Sequence, residues 1–288
     1  MEDEKKIKNN DVQSNDTNNQ QSGKKRKKSK EVAIFGNYRN YYSYRIDQGL
    51  EEDPRIKVLR KEWFEGKKCL DIGCNSGLIT INIAKKFCCE KIVGVDIDSA
   101  RIADANWNLR RIVKLSELKK NTEAEDSKND ARTNDKTSSP DKTTNTVISG
   151  DSPASHLFDR VSFHKDNFVQ SWSMPGDKLY DTILCLSVSK WVHLNWGDEG
   201  LITLFSKVWR LLKPGGVFIL EPQPWKSYVS NRQVSEVAST NYKNLEIFPN
   251  RFQDILLDKI GFRRIENLSS NLSGSKTGFN RPILALWK

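Results

Sequence analysis

A strand that ends in a glycine-punctuated turn constrains this chain more than any other stretch. Lys68-Cys-Leu-Asp-Ile-Gly-Cys-Asn-Ser-Gly77 reads as a short buried strand running into a loop and then a helix, Leu78 to Phe87. Roughly twenty residues later, Val93-Gly-Val-Asp-Ile-Asp98 is a second apolar strand with a carboxylate, Asp96, at its C-terminal end. In an open α/β sheet this pairing places a nucleoside ligand outside the carboxyl ends of the strands. Gly73 and Gly77 permit a tight turn and close approach of a ligand to bare backbone. Asp96 is placed to accept hydrogen bonds from both hydroxyls of a ribose.

The spacing Asp71-x-Gly73-x-Asn75-x-Gly77 departs from the dinucleotide fingerprint G-x-G-x-x-G. A loop that opens with an acidic residue suits a cationic ligand end better than a pyrophosphate. The pattern resembles the glycine-rich first motif of class I S-adenosylmethionine-dependent methyltransferases.

Two stretches are too poor in apolar side chains to offset the entropy of ordering. Residues 1–30 are rich in Asn, Gln, Asp and Lys, and residues 116–156 in Thr, Asn, Asp, Lys and Ser. The expectation is a disordered basic tail over 1–30 and one domain over 31–288, interrupted by a disordered insertion at 116–156. About 215 residues then remain to fold, enough for a three-layer α/β domain. The net charge of +10 and pI near 9.3 favour a polyanionic partner. Lys24-Lys-Arg-Lys-Lys28 carries part of that excess, as a nuclear import signal, an RNA-contacting arm or a solvated flank. The five cysteines, Cys69, Cys74, Cys88, Cys89 and Cys185, lack metal-finger spacing and read as core thiols of a reducing compartment. No metal is expected. With no signal peptide and no apolar run long enough to span a bilayer, the expectation is a soluble intracellular protein.

Further strands follow within Leu157–Phe168, at Tyr180–Leu186 and Val217–Trp225, after Gly261-Phe262 and at Ile283–Trp287. Helical periodicity marks a segment from Ser99 to about Leu115, Glu199–Leu212 and about Asn250–Lys259. Between the fourth strand and Glu199, the Ser187–Asp198 block reads as a loop bordering the ligand crevice. Near the N-terminus, four tyrosines and two arginines within Tyr38–Arg45 suit either stacking on bases and pairing with phosphates, or a flap packed on the domain.

Several blocks together narrow the resemblance. Gly36-Asn-Tyr-Arg-Asn-Tyr-Tyr-Ser-Tyr-Arg45, Cys185-Leu-Ser-Val-Ser-Lys-Trp-Val-His-Leu-Asn-Trp-Gly-Asp-Glu-Gly200, Leu220-Glu-Pro-Gln-Pro-Trp225 and Gly278-Phe-Asn-Arg-Pro282 are similar to the methylphosphate capping enzymes of small nuclear RNA and their bicoid-interacting relatives. The similarity runs from about residue 34 to the end, apart from the insertion. It implies a Rossmann-like three-layer sandwich with a seven-stranded, mostly parallel sheet and an antiparallel last strand. It also implies a nuclear enzyme using S-adenosylmethionine to methylate the 5′-terminal γ-phosphate of a 7SK-like RNA. Such an enzyme is a monomer that stays on its RNA beside a La-related protein. A branch acting on 5′-monophosphates, and a noncatalytic RNA-binding scaffold, are the alternatives.

Carried over by position, the resemblance implies cofactor contacts from Tyr42, Arg55, Gly73, Cys74, Asn75, Asp96, Ile97, Asn167, Phe168 and Leu186. It puts the triphosphate near Tyr41, Arg45, Lys190 and His193, the histidine as a positioning donor or a structural residue. The third-strand exit, Asp166-Asn-Phe168, departs from the family's usual Gly-Asn-Tyr. The N-terminal region is far shorter than in the large vertebrate members.

Overall fold

The computed structural model describes residues 33–39, 52–130, 156–171, 180–269 and 281–288, with backbone alone over 119–130. The expected tail, Tyr41, Tyr42 and Arg45 lie outside the described residues.

Seven strands form one sheet in the order β3-β2-β1-β4-β5-β7-β6. They are β1 (Lys68–Ile72), β2 (Lys91–Asp96), β3 (Val161–Lys165), β4 (Tyr180–Leu186), β5 (Leu212–Glu221), β6 (Arg264–Asn267) and β7 (Leu284–Trp287). The pairs from β3 through β5 are parallel, and β7 runs antiparallel to both its neighbours. Strands β1 and β4 are buried almost throughout, as expected for parallel strands covered on both faces. The chain winds outward from β1 through β2 to β3, then returns to β4 on the other side. The carboxyl ends of β1 and β4 therefore flank the crevice at the switch point. Register pairs Ile72 with Val95 on one side and with Cys185 on the other, bringing Gly73, Asp96 and Leu186 to the same level.

One face of the sheet is covered by α2 (Leu78–Phe87) and α3 (Ser99–Asp130), which bury Ile81, Ile83, Ile102, Ala105 and Leu109. A short α1 (Pro54–Lys57) and a 3₁₀ turn (Lys61–Trp63) join that layer through Ile56 and Trp63. The other face receives α5 (Ser189–Leu211) through Leu201, Leu204, Phe205 and Val208, together with Phe252 and Leu256. The result is three layers with an apolar core on each side of the sheet.

Five expectations need correction. The Ser187–Asp198 block is mostly helix: α5 begins at Ser189 and is interrupted only at Gly197 (φ 64°, ψ −166°). Trp191 and Leu194 bury against Tyr228, Ala238 and Leu245, while Val192 faces the sheet, so the turn is apolar on two sides. Second, α3 continues to Asp130, fifteen residues beyond the expected end near Leu115 and into the expected insertion, through the helix formers Glu117, Leu118, Glu123, Ala124 and Glu125. Third, a short α4 (His156–Arg160) precedes β3. The helix expected near Asn250–Lys259 is a 3₁₀ turn, a single α turn and a π turn in succession, closed by Gly261 at φ 104°. Cys88 is the exposed exception among the five thiols, all of which are free.

Candidate active site

A cavity of about 310 Å³ opens at the carboxyl ends of β1, β2 and β4. Its floor is the turn after β1. Gly73 and Gly77 both adopt φ near 72°. A Cβ on Gly73 would come within 2.3 Å of a Val188 methyl, so the turn requires glycine on two counts. The N–H groups of Gly73 and Cys74 donate to Val95 O at 2.7 and 3.1 Å, tying the turn to β2.

Asp96 ends β2 at the cavity wall, 8 % exposed. One carboxylate oxygen accepts the Asn75 N–H and the other the Asp98 N–H, each at 2.9 Å. Burial raises its pKa, against the opposing pull of those two N–H groups. Two oxygens fixed in this way still have lone pairs for a diol. Asp71 lies deeper, accepting from Thr80 Oγ1 at 2.6 Å. Burial pushes its carboxyl up to about 6, a shift that the Thr80 hydrogen bond and the charge of Arg55 only partly offset. Arg55 is 3 % exposed, held by Asp53 through two side-chain contacts at 3.0 and 2.8 Å and by Glu221 at 3.5 Å. Its charge is matched by these two carboxylates.

On the far side of the cavity, Lys190 lies in the first turn of α5, 4 % exposed. Its ammonium donates to Ser227 Oγ at 2.9 Å and Asn231 Oδ1 at 2.5 Å, both on α6 (Trp225–Asn231). It also lies 3.9 Å from the centroid of the Trp191 ring. Burial, with a smaller contribution from the nearby Arg281, lowers its pKa to about 7. The Lys190 N–H is held by Gln223 Oε1 at 3.1 Å, which fixes the start of the helix.

A strap, residues 33–39, crosses between the two sides. Asn37 Nδ2 donates to Asp98 Oδ2, and Asn75 Nδ2 donates to Tyr38 O at 3.3 Å. At its other edge Phe35 stacks on Trp196 and Tyr38 meets Trp191 edge-on. Phe35 and Tyr38, from the Tyr- and Arg-rich stretch, therefore pack on the domain.

Arg55, Gly73, Asn75, Asp96, Ile97, Asn167, Phe168, Leu186 and Lys190 all line this cavity. Two expected residues do not. The Cys74 thiol is buried in the core beneath the turn, where a Cβ on Gly94 would stand only 2.9 Å from it. Only the backbone of Cys74 belongs to the turn. The His193 ring is fully buried behind the wall, with Nε2 2.6 Å from Asp198 Oδ1 and Nδ1 3.2 Å from the Tyr228 hydroxyl. Asp198 in turn accepts the N–H groups of Glu246 and Ile247. This network braces the kink at Gly197 and holds the His193 ring behind the cavity wall.

Sequence reasoning missed Asp71 as a buried titrating group, and Ser227, Asn231, Gln223 and Arg281 altogether. The Glu-Pro-Gln-Pro-Trp block was the available signal for Gln223 and the Gly-Phe-Asn-Arg-Pro block for Arg281, whereas Ser227 and Asn231 lie in neither.

The Bicoid-interacting protein 3 (Bin3) family model matches residues 180–288, and a methyltransferase-domain model matches residues 70–218. A protein of Arabidopsis thaliana named "Probable RNA methyltransferase" is 57 % identical over 265 residues, 91 % of this chain and 83 % of that one. The U6 snRNA methylphosphate capping enzyme Amus of Drosophila melanogaster is 33 % identical over 259 residues, 86 % and 73 % of the two chains. The human 7SK snRNA methylphosphate capping enzyme is 36 % identical over 286 residues, 91 % of this chain, which spans 40 % of its length.

The cofactor of this domain is S-adenosylmethionine, and the donor set of the cavity fits it. A carboxylate at the end of β2 suits a ribose, a buried carboxylate suits a cationic tail, and the bare backbone at Gly73 leaves room for both. With the sheet order and cavity in place, the matches make the chain a methyltransferase of the bicoid-interacting protein 3 family.

Proposed function

We propose that this enzyme methylates the 5′-terminal γ-phosphate of a small nuclear RNA of the 7SK type, leaving a monomethyl phosphate cap. The observation that carries the reading is Lys190: a buried ammonium at the cavity wall whose side-chain partners are the neutral oxygens of Ser227 and Asn231. A desolvated cation held by neutral groups is stabilised when an anion arrives. Relatives named methylphosphate capping enzymes match over most of this chain, whereas those named 5′-monophosphate methyltransferases match over 18–23 % of it.

S-adenosylmethionine supplies an electrophilic methyl group. Asp96 takes the ribose hydroxyls, Asp71 faces the cationic tail through the floor, and Ile97, Asn167 and Phe168 border the adenine. Asn75, Gly73, Leu186 and Arg55 complete that side, with Tyr42 from the N-terminal flap. A terminal phosphate needs no general base, because its second ionisation lies near about pH 6. The protein's work is to exclude water, align the attacking oxygen and balance charge without quenching the nucleophile. Lys190 does this from α5, and Tyr41 and Arg45 from the flap. The same reading makes the enzyme a nuclear monomer that remains on its RNA beside a La-related protein.

Single-turnover methylation of matched hairpin RNAs bearing one or three 5′ phosphates tests the reading. The triphosphate RNA should react at least tenfold faster. Equal rates, or preference for the monophosphate, would replace γ-phosphate specificity by the monophosphate activity. Cofactor binding without turnover on either RNA would mark a noncatalytic scaffold.

A further inference from the structure

Among the described residues three cationic side chains line the cavity, and they are not equivalent. Arg55 is matched by Asp53 and Glu221. Lys190 rests on Ser227 and Asn231. The third, Arg281, enters from the other edge of the crevice, three residues before β7 begins. Its Nη1 donates to Ser187 Oγ at 2.8 Å. Ser187 sits immediately past β4 in the left-handed region (φ 65°), and its hydroxyl donates to the fully buried Glu221. Its own N–H donates to Glu221 O at 3.0 Å. The guanidinium therefore reaches the crevice through a hydroxyl that is itself bonded to the buried Glu221.

We infer that Arg281 is a substrate-binding residue, the second half of a two-cation grip that holds the terminal phosphoryl group between β7 and α5. This inference rests on the phosphate-methylating reading above. Two cations lining one cavity together attract a group of two or more negative charges more strongly than either does alone. The proximity is strong enough for Arg281 to help depress the Lys190 pKa. The chemistry also divides the labour. A guanidinium presents a planar fork that pairs with two phosphate oxygens at once, whereas an ammonium is a point charge. Arg281 grips the non-reacting oxygens and fixes the rotation of the phosphoryl group. Lys190 adds the remaining charge, and one oxygen stays clear to attack.

The test uses the full chain, with Arg281→Lys and Arg281→Ala, and Ser187→Ala as a variant that keeps the arginine but removes its anchor. Methylation of a short 5′-triphosphate RNA should show KM for RNA raised at least tenfold in both Arg281 variants. Cofactor Kd and melting temperature should stay within twofold and about 2 °C of wild type. Arg281→Lys should fail nearly as badly as Arg281→Ala, because it keeps the charge and loses the fork. Inorganic tripolyphosphate, followed by calorimetry without RNA, should bind wild type at least tenfold more tightly than Arg281→Ala. A folded Arg281→Ala with unchanged RNA KM and unchanged tripolyphosphate affinity would overturn the inference. So would parallel losses of cofactor and RNA affinity, which would mark a structural role. If Arg281→Ala does not fold, Arg281→Lys and Ser187→Ala carry the same comparison, and wild-type behaviour in both overturns it. If wild type methylates no 5′-phosphorylated RNA, the functional reading fails, while tripolyphosphate binding still decides whether Arg281 serves an anion site.

Discussion

Asp96 and Asn75 are joined across the crevice: the Asn75 N–H donates 2.9 Å to one Asp96 oxygen while the other holds the Asp98 N–H. The carboxylate that suits a ribose is thus also the brace between the turn after β1 and the loop after β2. Asp96→Ala should weaken S-adenosylmethionine binding tenfold or more, since a hydrogen bond to a charged group contributes roughly 1.5–3 kcal/mol. It should also lower the melting temperature, because two N–H groups lose their acceptor. Asp96→Asn keeps one good acceptor oxygen and should fall between. Calorimetry with thermal melting separates the two effects, and unchanged cofactor affinity in Asp96→Ala would remove the ribose assignment.

Asp71 should make cofactor binding pH-dependent. Its carboxyl titrates at about 6 because burial disfavours the charge. Only the ionised form attracts a cation, so affinity should fall as pH drops through about 6. Asp71→Asn should bind more weakly at pH 7.5 and lose that pH dependence. In the free protein the sign for stability is opposite. The folded carboxyl keeps its proton above its usual 3.8, so its contribution is fully present below 3.8 and is lost as pH rises through about 6. Titration calorimetry from pH 5 to 8 on wild type and Asp71→Asn checks the binding claim, and parallel profiles would reject it.

Lys190 should set the alkaline limb of kcat/KM. In the proposed reaction its charged form recruits the phosphate, and burial brings its pKa down to about 7 in the free enzyme. With phosphate ionisation near about pH 6 setting the acid limb, the profile should be a narrow bell. Lys190→Ala should lower turnover at least a hundredfold with cofactor Kd within about threefold, the split expected of a group acting only on the transferring end. Lys190→Arg should retain some activity and lose the limb near 7. A wild-type profile flat from pH 7 to 9 would contradict this.

His193 should behave as a stability residue. His193→Ala leaves the buried Tyr228 hydroxyl without its imidazole partner and Asp198, 24 % exposed, with only the Glu246 and Ile247 N–H groups, at a cost of about 1–3 kcal/mol. Denaturant unfolding should report that loss. At a temperature where the variant stays folded, kcat should remain within a few-fold of wild type and the pH profile should keep its shape. A selective loss of turnover without destabilisation would return the histidine to the reaction.

Local sequence decided much of this protein. The turn after β1 was legible because glycine at Gly73 and Gly77, an apolar strand before them and a helical pattern after them act within a few residues of one another. Asp96 followed from the same logic one strand later, and Lys190 from its place just after β4. Tertiary structure decided which way those residues look. Cys74 lies in the same turn as Gly73 and Asn75, but its thiol falls into the gap left by Gly94 on the neighbouring strand. His193 is three residues from Lys190 and points away from the cavity, because Asp198 and Tyr228 hold it behind the wall. Arg281 reaches Ser187 across 94 residues of sequence, because β7 inserts antiparallel between β5 and β6 and delivers its leading end to the crevice. Backbone conformation and hydrophobic period are set by near neighbours. The direction of a side chain and the charges that surround it depend on pairings between distant segments, which exist only once the sheet has closed.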